Sequence, residues 1–269
     1  MKRLLWLTML CCLFVLTAQA SDYVYKRNIP YRAQMPNAYA DSMCRLDIAS
    51  PEGAAKSPVL VWFHGGGLTG GSREIPEELL KEGLIVVGVE YRLSPQVKTL
   101  EIVDDAAAAV AWVFNNIGEY GGDTSSIYIA GHSAGGYLVN MIGLDKSWLQ
   151  KYNVDADLLA GIIPFSGQVI THFATRKEQG LEPLQPTIDR TAPLYHVRKD
   201  CAPILIISGD REKELFGRYE ETAYFWRMLK LVGHPDITIY ELDGFDHGTM
   251  CRAGFPLAVD FIRQHQLKK

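Results

Sequence analysis

From Ser57 onward the chain alternates short apolar runs rich in β-branched residues with stretches whose apolar residues recur at helical spacing. Strands that are apolar on both faces need cover on both sides, so this alternation predicts a mostly parallel central sheet with helices on either face, an α/β fold. The predicted strands are 58–63, 84–91, 127–130, 161–165, 204–208 and 237–242. Between them, Val103, Ala106, Ala107, Val110, Val113, Phe114 and Ile117 make one apolar helical stripe. A second helix is predicted from about 217, with Tyr219, Ala223, Trp226 and Leu229 on one face, and a last one from near Pro256, presenting Leu257, Phe261 and Ile262. Residues 23–48 are less regular, with 45–48 resembling a short edge strand. At 269 residues and 48% hydrophobic, the chain has enough apolar surface for a large core, and one domain over 21–269 is the simplest organisation.

Charge and targeting signals narrow the partners. The formal net charge is −4, with no run of Lys and Arg, which argues against nucleic acid or an anionic membrane surface and in favour of a small, neutral or mildly charged molecule. At the N-terminus, Lys2 and Arg3 precede an apolar run over 4–16, followed by Ala18-Gln19-Ala20. That order predicts a signal peptide, 1–20, removed after Ala20. The run is shorter than the roughly 20 residues that span a bilayer. The expectation is a secreted or periplasmic protein with no stable membrane insertion.

Cleavage there leaves Cys44, Cys201 and Cys251 in a compartment that permits disulfides. Cys201 and Cys251 each lie near a candidate catalytic loop and are the preferred pair; the alternative is three buried thiols.

Chemistry concentrates at three glycine-rich points. Gly131-His132-Ser133-Ala134-Gly135 lies between a predicted strand and a predicted helix, the setting of a nucleophile elbow, in which the glycines permit a sharp turn and Ser133 is left exposed as candidate nucleophile. His64-Gly65-Gly66-Gly67 ends the first long strand, and the N–H groups of Gly65 and Gly66, with that of Ala134, are candidates for an oxyanion hole. His247 follows the last predicted strand and so falls at the same edge of the sheet, where it would serve as general base. The acid should lie between serine and histidine in the chain. There Gly209-Asp210-Arg211-Glu212 offers two carboxylates: Glu212 is preferred because it lies farther into the loop, and Asp210 is held in reserve, with the unused one paired to Arg211 or exposed. His64 and His132 show no metal-ligand spacing, so no metal or other cofactor is expected. Residues 168–198 lack periodicity, contain Pro183, Pro186 and Pro193, and are the candidate lid.

Taken together, His64-Gly65-Gly66-Gly67, Val89-Glu90-Tyr91-Arg92-Leu93-Ser94-Pro95, the 104–116 helix, Gly121-Gly122-Asp123 and Gly131-His132-Ser133-Ala134-Gly135-Gly136 resemble the hormone-sensitive-lipase-like esterases of the α/β-hydrolase superfamily. The resemblance runs from about 57 to 248. It implies the α/β-hydrolase fold, a serine carboxylesterase acting on a small-molecule ester through an acyl-enzyme at Ser133, and oxyanion-hole roles for Gly65, Gly66 and Ala134. Short or aromatic acyl groups, acetyl or feruloyl on carbohydrate among them, fit a compact chain with a short lid. The family's Asp-Pro-Leu acid motif is absent, a departure shared with arylformamidase-like and small acetyl-esterase-like proteins. Amide hydrolysis by an arylformamidase or small exopeptidase is the alternative chemistry. A non-catalytic binding domain on the same scaffold is the alternative class.

Overall fold

The computed structural model describes residues 22–81 and 83–267. The signal-peptide expectation for 1–20 lies outside them. Among the described residues eight strands form one sheet: β1 (Tyr23–Pro30), β2 (Arg45–Pro51), β3 (Ser57–Phe63), β4 (Ile85–Val89), β5 (Gly122–His132), β6 (Gly161–Phe165), β7 (Ile204–Gly209) and β8 (Ile237–Leu242). Their spatial order is β1-β2-β4-β3-β5-β6-β7-β8. β1 and β2 pair antiparallel, β2 runs antiparallel to β4, and every pairing from β4 through β8 is parallel. The helices are α1 (Ala38–Met43), α2 (Thr99–Asn116), α3 (Ala134–Leu144), α4 (Ser147–Gln150), α5 (Phe173–Glu178), α6 (Arg218–Leu231) and α7 (Met250–Gln266). This is the mostly parallel, helix-covered sheet of the α/β-hydrolase fold.

Side chains alternate across each strand, so the sheet divides the core in two. Val59, Val61 and Phe63 of β3 face the cluster that holds Val103, Ala107 and Val110 of α2, Leu138 and Met141 of α3, and Phe225 and Leu229 of α6. Leu60 and Trp62 face the other cluster, closed by Phe255, Ala258, Phe261 and Ile262 of α7. There Trp62 meets Phe165 and Phe255 edge-on, each at 5.4 Å between ring centroids, pairs worth about 0.5–1.5 kcal/mol beyond their burial.

Three expectations are corrected. The 45–48 segment is not at the edge, because β1 pairs outside it; β1 reads poorly in sequence since all but two of its residues are exposed. α7 begins at Met250 and carries Pro256 inside it. Pro256 and Arg252 are both exposed, so water can serve the Arg252 carbonyl that the missing N–H would have bonded. Cys201 and Cys251 form no disulfide, and Cys44, Cys201 and Cys251 are all free thiols. Cys201 belongs to the α2/α3 side of the core and Cys251 packs against the α7 side, so the sheet stands between them.

Parallel strands end on one side. The turns after β3, β5, β6, β7 and β8 therefore meet along one edge of the sheet, the place where open α/β sheets bind ligands.

Candidate active site

The turn between β5 and α3 forces Ser133 into an unusual backbone, φ 54° and ψ −110°. Such a conformation is strained for a residue with a side chain and persists because the surroundings over-determine it. The Ser133 N–H donates to the Phe165 carbonyl at 2.8 Å, and its own carbonyl accepts from Tyr137 N at 2.9 Å. Glycine is required on both flanks: a Cβ on Gly131 would lie 2.5 Å from the Gly135 carbonyl carbon, and one on Gly135 would collide with the carbonyl oxygen of Phe63.

His247 enters from the loop between β8 and α7. Its Nε2 stands 2.9 Å from Ser133 Oγ, and its Nδ1 stands 2.8 Å from Glu214 Oε2. The Glu214 side chain is almost wholly enclosed, at 1% exposure, whereas that of His247 retains 17%. Burial by itself would raise the Glu214 carboxyl; hydrogen bonds from His247, Ser166 and the Gly209 N–H outweigh it and hold the group at about 2. The Asp246 side chain shapes the loop by accepting from Gly248 N at 3.1 Å and Thr249 N at 2.8 Å.

The acid is thus placed differently from the expectation of Glu212 or Asp210. Glu212 is exposed, and the imidazole pairs with Glu214 instead. Asp210 is spent within the loops, its carboxylate accepting from Glu212 N at 2.9 Å and Gly244 N at 2.8 Å. Neither pairs with Arg211, which binds Glu241 at 2.6 Å. The reason is local: Lys213 N and Glu214 N both donate to the Asp210 carbonyl at 2.9 Å, so the chain coils after β7 and its fifth residue past the strand turns back to the histidine.

Ser166, like Glu214, goes unnamed in the sequence reading. It is buried, has a left-handed backbone (φ 47°), and its hydroxyl donates to Glu214 Oε1 at 2.7 Å while lying 3.0 Å from His247 Nδ1. Its place one residue beyond β6 was the available signal.

The glycine loop lies against the serine: a Cβ on Gly65 would sit 3.5 Å from Ser133 Cβ. The loop is bolted from behind. The His64 ring stacks on Tyr91 at 4.3 Å, its Nε2 meets Glu90 Oε1 at 2.9 Å, and Tyr91 OH donates to the His64 carbonyl at 2.7 Å. His64 is therefore structural. Among the described residues the N–H groups of Gly65 and Gly66 donate to no backbone carbonyl, and Ala134 N–H opens α3, where no preceding turn supplies an acceptor. Three free donors beside a hydroxyl at a helix N-terminus suit a developing oxyanion.

His132, between the elbow and the base, directs Nε2 at the His247 carbonyl, 2.7 Å away, and its ring lies 4.7 Å from that of His247. Burial, then the neighbouring His247, lower its pKa to about 4, so it stays neutral and donates. Among the described residues no cluster of His, Cys, Asp or Glu is arranged to hold a metal.

A hydroxyl, an imidazole and a carboxylate joined in this order can activate the hydroxyl for nucleophilic attack. The BD-FAE family model matches residues 46–169, a span holding the glycine loop and the elbow. Esterase LipC of Mycobacterium tuberculosis is 27% identical over 84% of this chain and 60% of its own length. Carboxylesterase 1E of Mus musculus is 34% identical over 76% of the chain and 37% of its own length. The chain thus spans about three-fifths or less of these curated relatives. Among solved structures, a truncated carbohydrate esterase from gut microbiota superposes with a TM-score of 0.73 at 19% identity, covering 92% of this chain and 98% of that one. Esterase 2 of Thermogutta terrifontis, phosphoramylated by tabun, gives 0.71 at 21% identity, covering 89% and 94%. In fold the chain is similar to these esterases, and in sequence it resembles carboxylesterases of the α/β-hydrolase fold.

Proposed function

We propose that the protein is a serine carboxylesterase working through an acyl-enzyme at Ser133. The observation that carries this reading is the hydrogen-bonded series Ser133 Oγ, His247, Glu214, with contacts of 2.9 and 2.8 Å. His247 Nε2 takes the hydroxyl proton as Oγ attacks the ester carbonyl, and the N–H groups of Gly65, Gly66 and Ala134 hold the oxyanion. His247 then returns the proton to the leaving alcohol, and a water activated by the same nitrogen releases the acid. Glu214 keeps the proton on Nδ1 and stabilises the imidazolium.

The substrates we infer are small esters of short-chain or aromatic acids, acetyl or feruloyl groups on carbohydrate included. Support comes from the likeness in shape to a carbohydrate esterase and from an aromatic pair beside the acid loop. Phe216, two residues past Glu214, is 73% exposed and meets Phe173 of α5 edge-on at 6.3 Å. An apolar ring left in solvent is suited to pack against a planar or sugar ring. The N-terminal segment argues for export, to the periplasm or the medium.

The test is labelling with a fluorophosphonate probe, wild type beside Ser133→Ala, followed by p-nitrophenyl esters of increasing chain length and acetylated and feruloylated oligosaccharides. Labelling lost in the variant is the expected result. A folded wild type that takes no label overturns the reading.

A further inference from the structure

Arg218, the first residue of α6, is 2% exposed, and its side-chain hydrogen bonds go to Ser166 and Glu221 and not to Ser133, His247 or Glu214. Its Nη1 donates to the Ser166 carbonyl, and its Nε donates to Glu221 Oε1 at 2.8 Å. Glu221 Oε2 in turn accepts the backbone N–H of Ile170, at the root of the lid, at 3.1 Å. The Arg218 N–H reaches back to the Leu215 carbonyl at 2.7 Å, tying α6 to the turn that carries Glu214. The Arg218 side chain thus joins the turn after β6 to Glu221 and, through it, to Ile170, while its backbone N–H ties the same residue to the acid turn.

We propose that Arg218 is a positioning residue for the Glu214–His247 pair, acting through Ser166, with Glu221 as its brace; this rests on the esterase reading above. Ser166 is the point of control. Its N–H is fixed on the Ile207 carbonyl at 2.7 Å, its left-handed backbone is not one a serine adopts unaided, and its hydroxyl must reach both Glu214 Oε1 and the vicinity of His247 Nδ1. Holding the carbonyl with a planar guanidinium sets the orientation of that turn and, with it, the direction of Oγ. The preceding residue, Phe165, accepts the N–H of Ser133, so the same turn registers both ends of the hydrogen-bonded series. A buried ion pair is a weak source of stability compared with apolar side chains of the same volume, so a role in fixing geometry accounts better for its presence here.

The experiment measures kcat and KM for p-nitrophenyl acetate in wild type, Arg218→Met, Arg218→Lys, Ser166→Ala and the double variant Ser166→Ala/Arg218→Met, each checked for folding by circular dichroism. The expected result is a kcat about 10–100-fold lower in Arg218→Met with KM within about threefold, and partial recovery in Arg218→Lys, whose single ammonium cannot span both acceptors as the fork does. Because Arg218 acts through Ser166, the double variant should lose less than the product of the single losses. A folded Arg218→Met with wild-type kcat, or losses that multiply in full, overturns the proposal. Should Arg218→Met fail to fold, wild-type kcat in Arg218→Lys overturns it equally. An inactive wild type would instead overturn the esterase reading.

Discussion

The imidazole of His132 holds the backbone of His247: its Nε2 lies 2.7 Å from the His247 carbonyl oxygen. The residue beside Ser133 thus anchors the loop that carries His247, and the two halves of the site are registered without relying on the Ser133–His247 contact itself. His132→Ala should leave that carbonyl without its partner, lower kcat about tenfold and reduce stability by about 1–3 kcal/mol. His132→Gln, which can still donate, should recover part of both; steady-state kinetics and urea unfolding would check this.

Ser133→Ala and His247→Ala should each lower kcat/KM for p-nitrophenyl acetate by about 10⁴ or more while circular dichroism and melting temperature stay close to wild type. Substantial turnover in either folded variant would contradict the assigned roles.

The carboxylates separate cleanly. Glu214→Gln should cost about 10²–10⁴ in kcat, because the amide no longer stabilises the imidazolium. Glu212→Gln, at an exposed position, should stay within about twofold of wild type. Asp210→Asn should act on stability, since the Asp210 carboxylate ties Gly244 into the loop. Parallel kinetics and melting curves distinguish the three.

Acid should unfold the protein early. Burial lowers the pKa of His132 to about 4 and that of His172 to about 3, against an unfolded value near 6.5. Between those values the unfolded chain binds more protons than the folded one, so stability rises with pH through that window and is fully present above about 6.5. Glu214, held at about 2, adds stability that is present above about 4.5 and lost as pH falls toward 2. Melting temperature should therefore fall between about pH 6.5 and 4. His172→Gln, which removes one of the buried imidazoles, should flatten that slope; an unchanged slope would exclude its contribution.

Gly135→Ala should not give an active, soluble protein, since the added methyl collides with the backbone of Phe63. Gly118→Ala, which meets nothing within 4 Å, should be close to neutral. Soluble yield and melting temperature are the readouts.

Where one periodicity dominated, the chain was legible. β3, β6 and β7 fall within one residue of the predicted runs, because buried parallel strands are apolar throughout. β1 was not legible, because its stability comes from pairing with β2 and not from apolar content. Gly131, Ser133 and His247 could be placed from order along the chain, since an elbow and a loop after the last strand leave few alternatives. Glu214 could not, because a turn held by the Asp210 carbonyl decides which of several nearby carboxylates faces inward. Ser166 acts through a backbone conformation that its residue type does not announce.

The 168–198 segment is pinned to the body at its C-terminal end by Arg198, which donates to the Gly143 and Leu144 carbonyls, and at three places before that. Glu221 holds Ile170 N, Glu178 Oε1 accepts both N–H and hydroxyl of Thr99 at the start of α2, and Tyr137 OH donates to the Thr191 carbonyl. Between the last two of these three pins, residues 179–190 are mostly exposed, with Leu181, Thr187 and Asp189 half-buried. Length or sequence changes confined to the exposed positions of that stretch should therefore leave the pins, and the strand ends beneath them, in register, whereas Asp189, which accepts from Thr171 and Thr191, should not be varied freely.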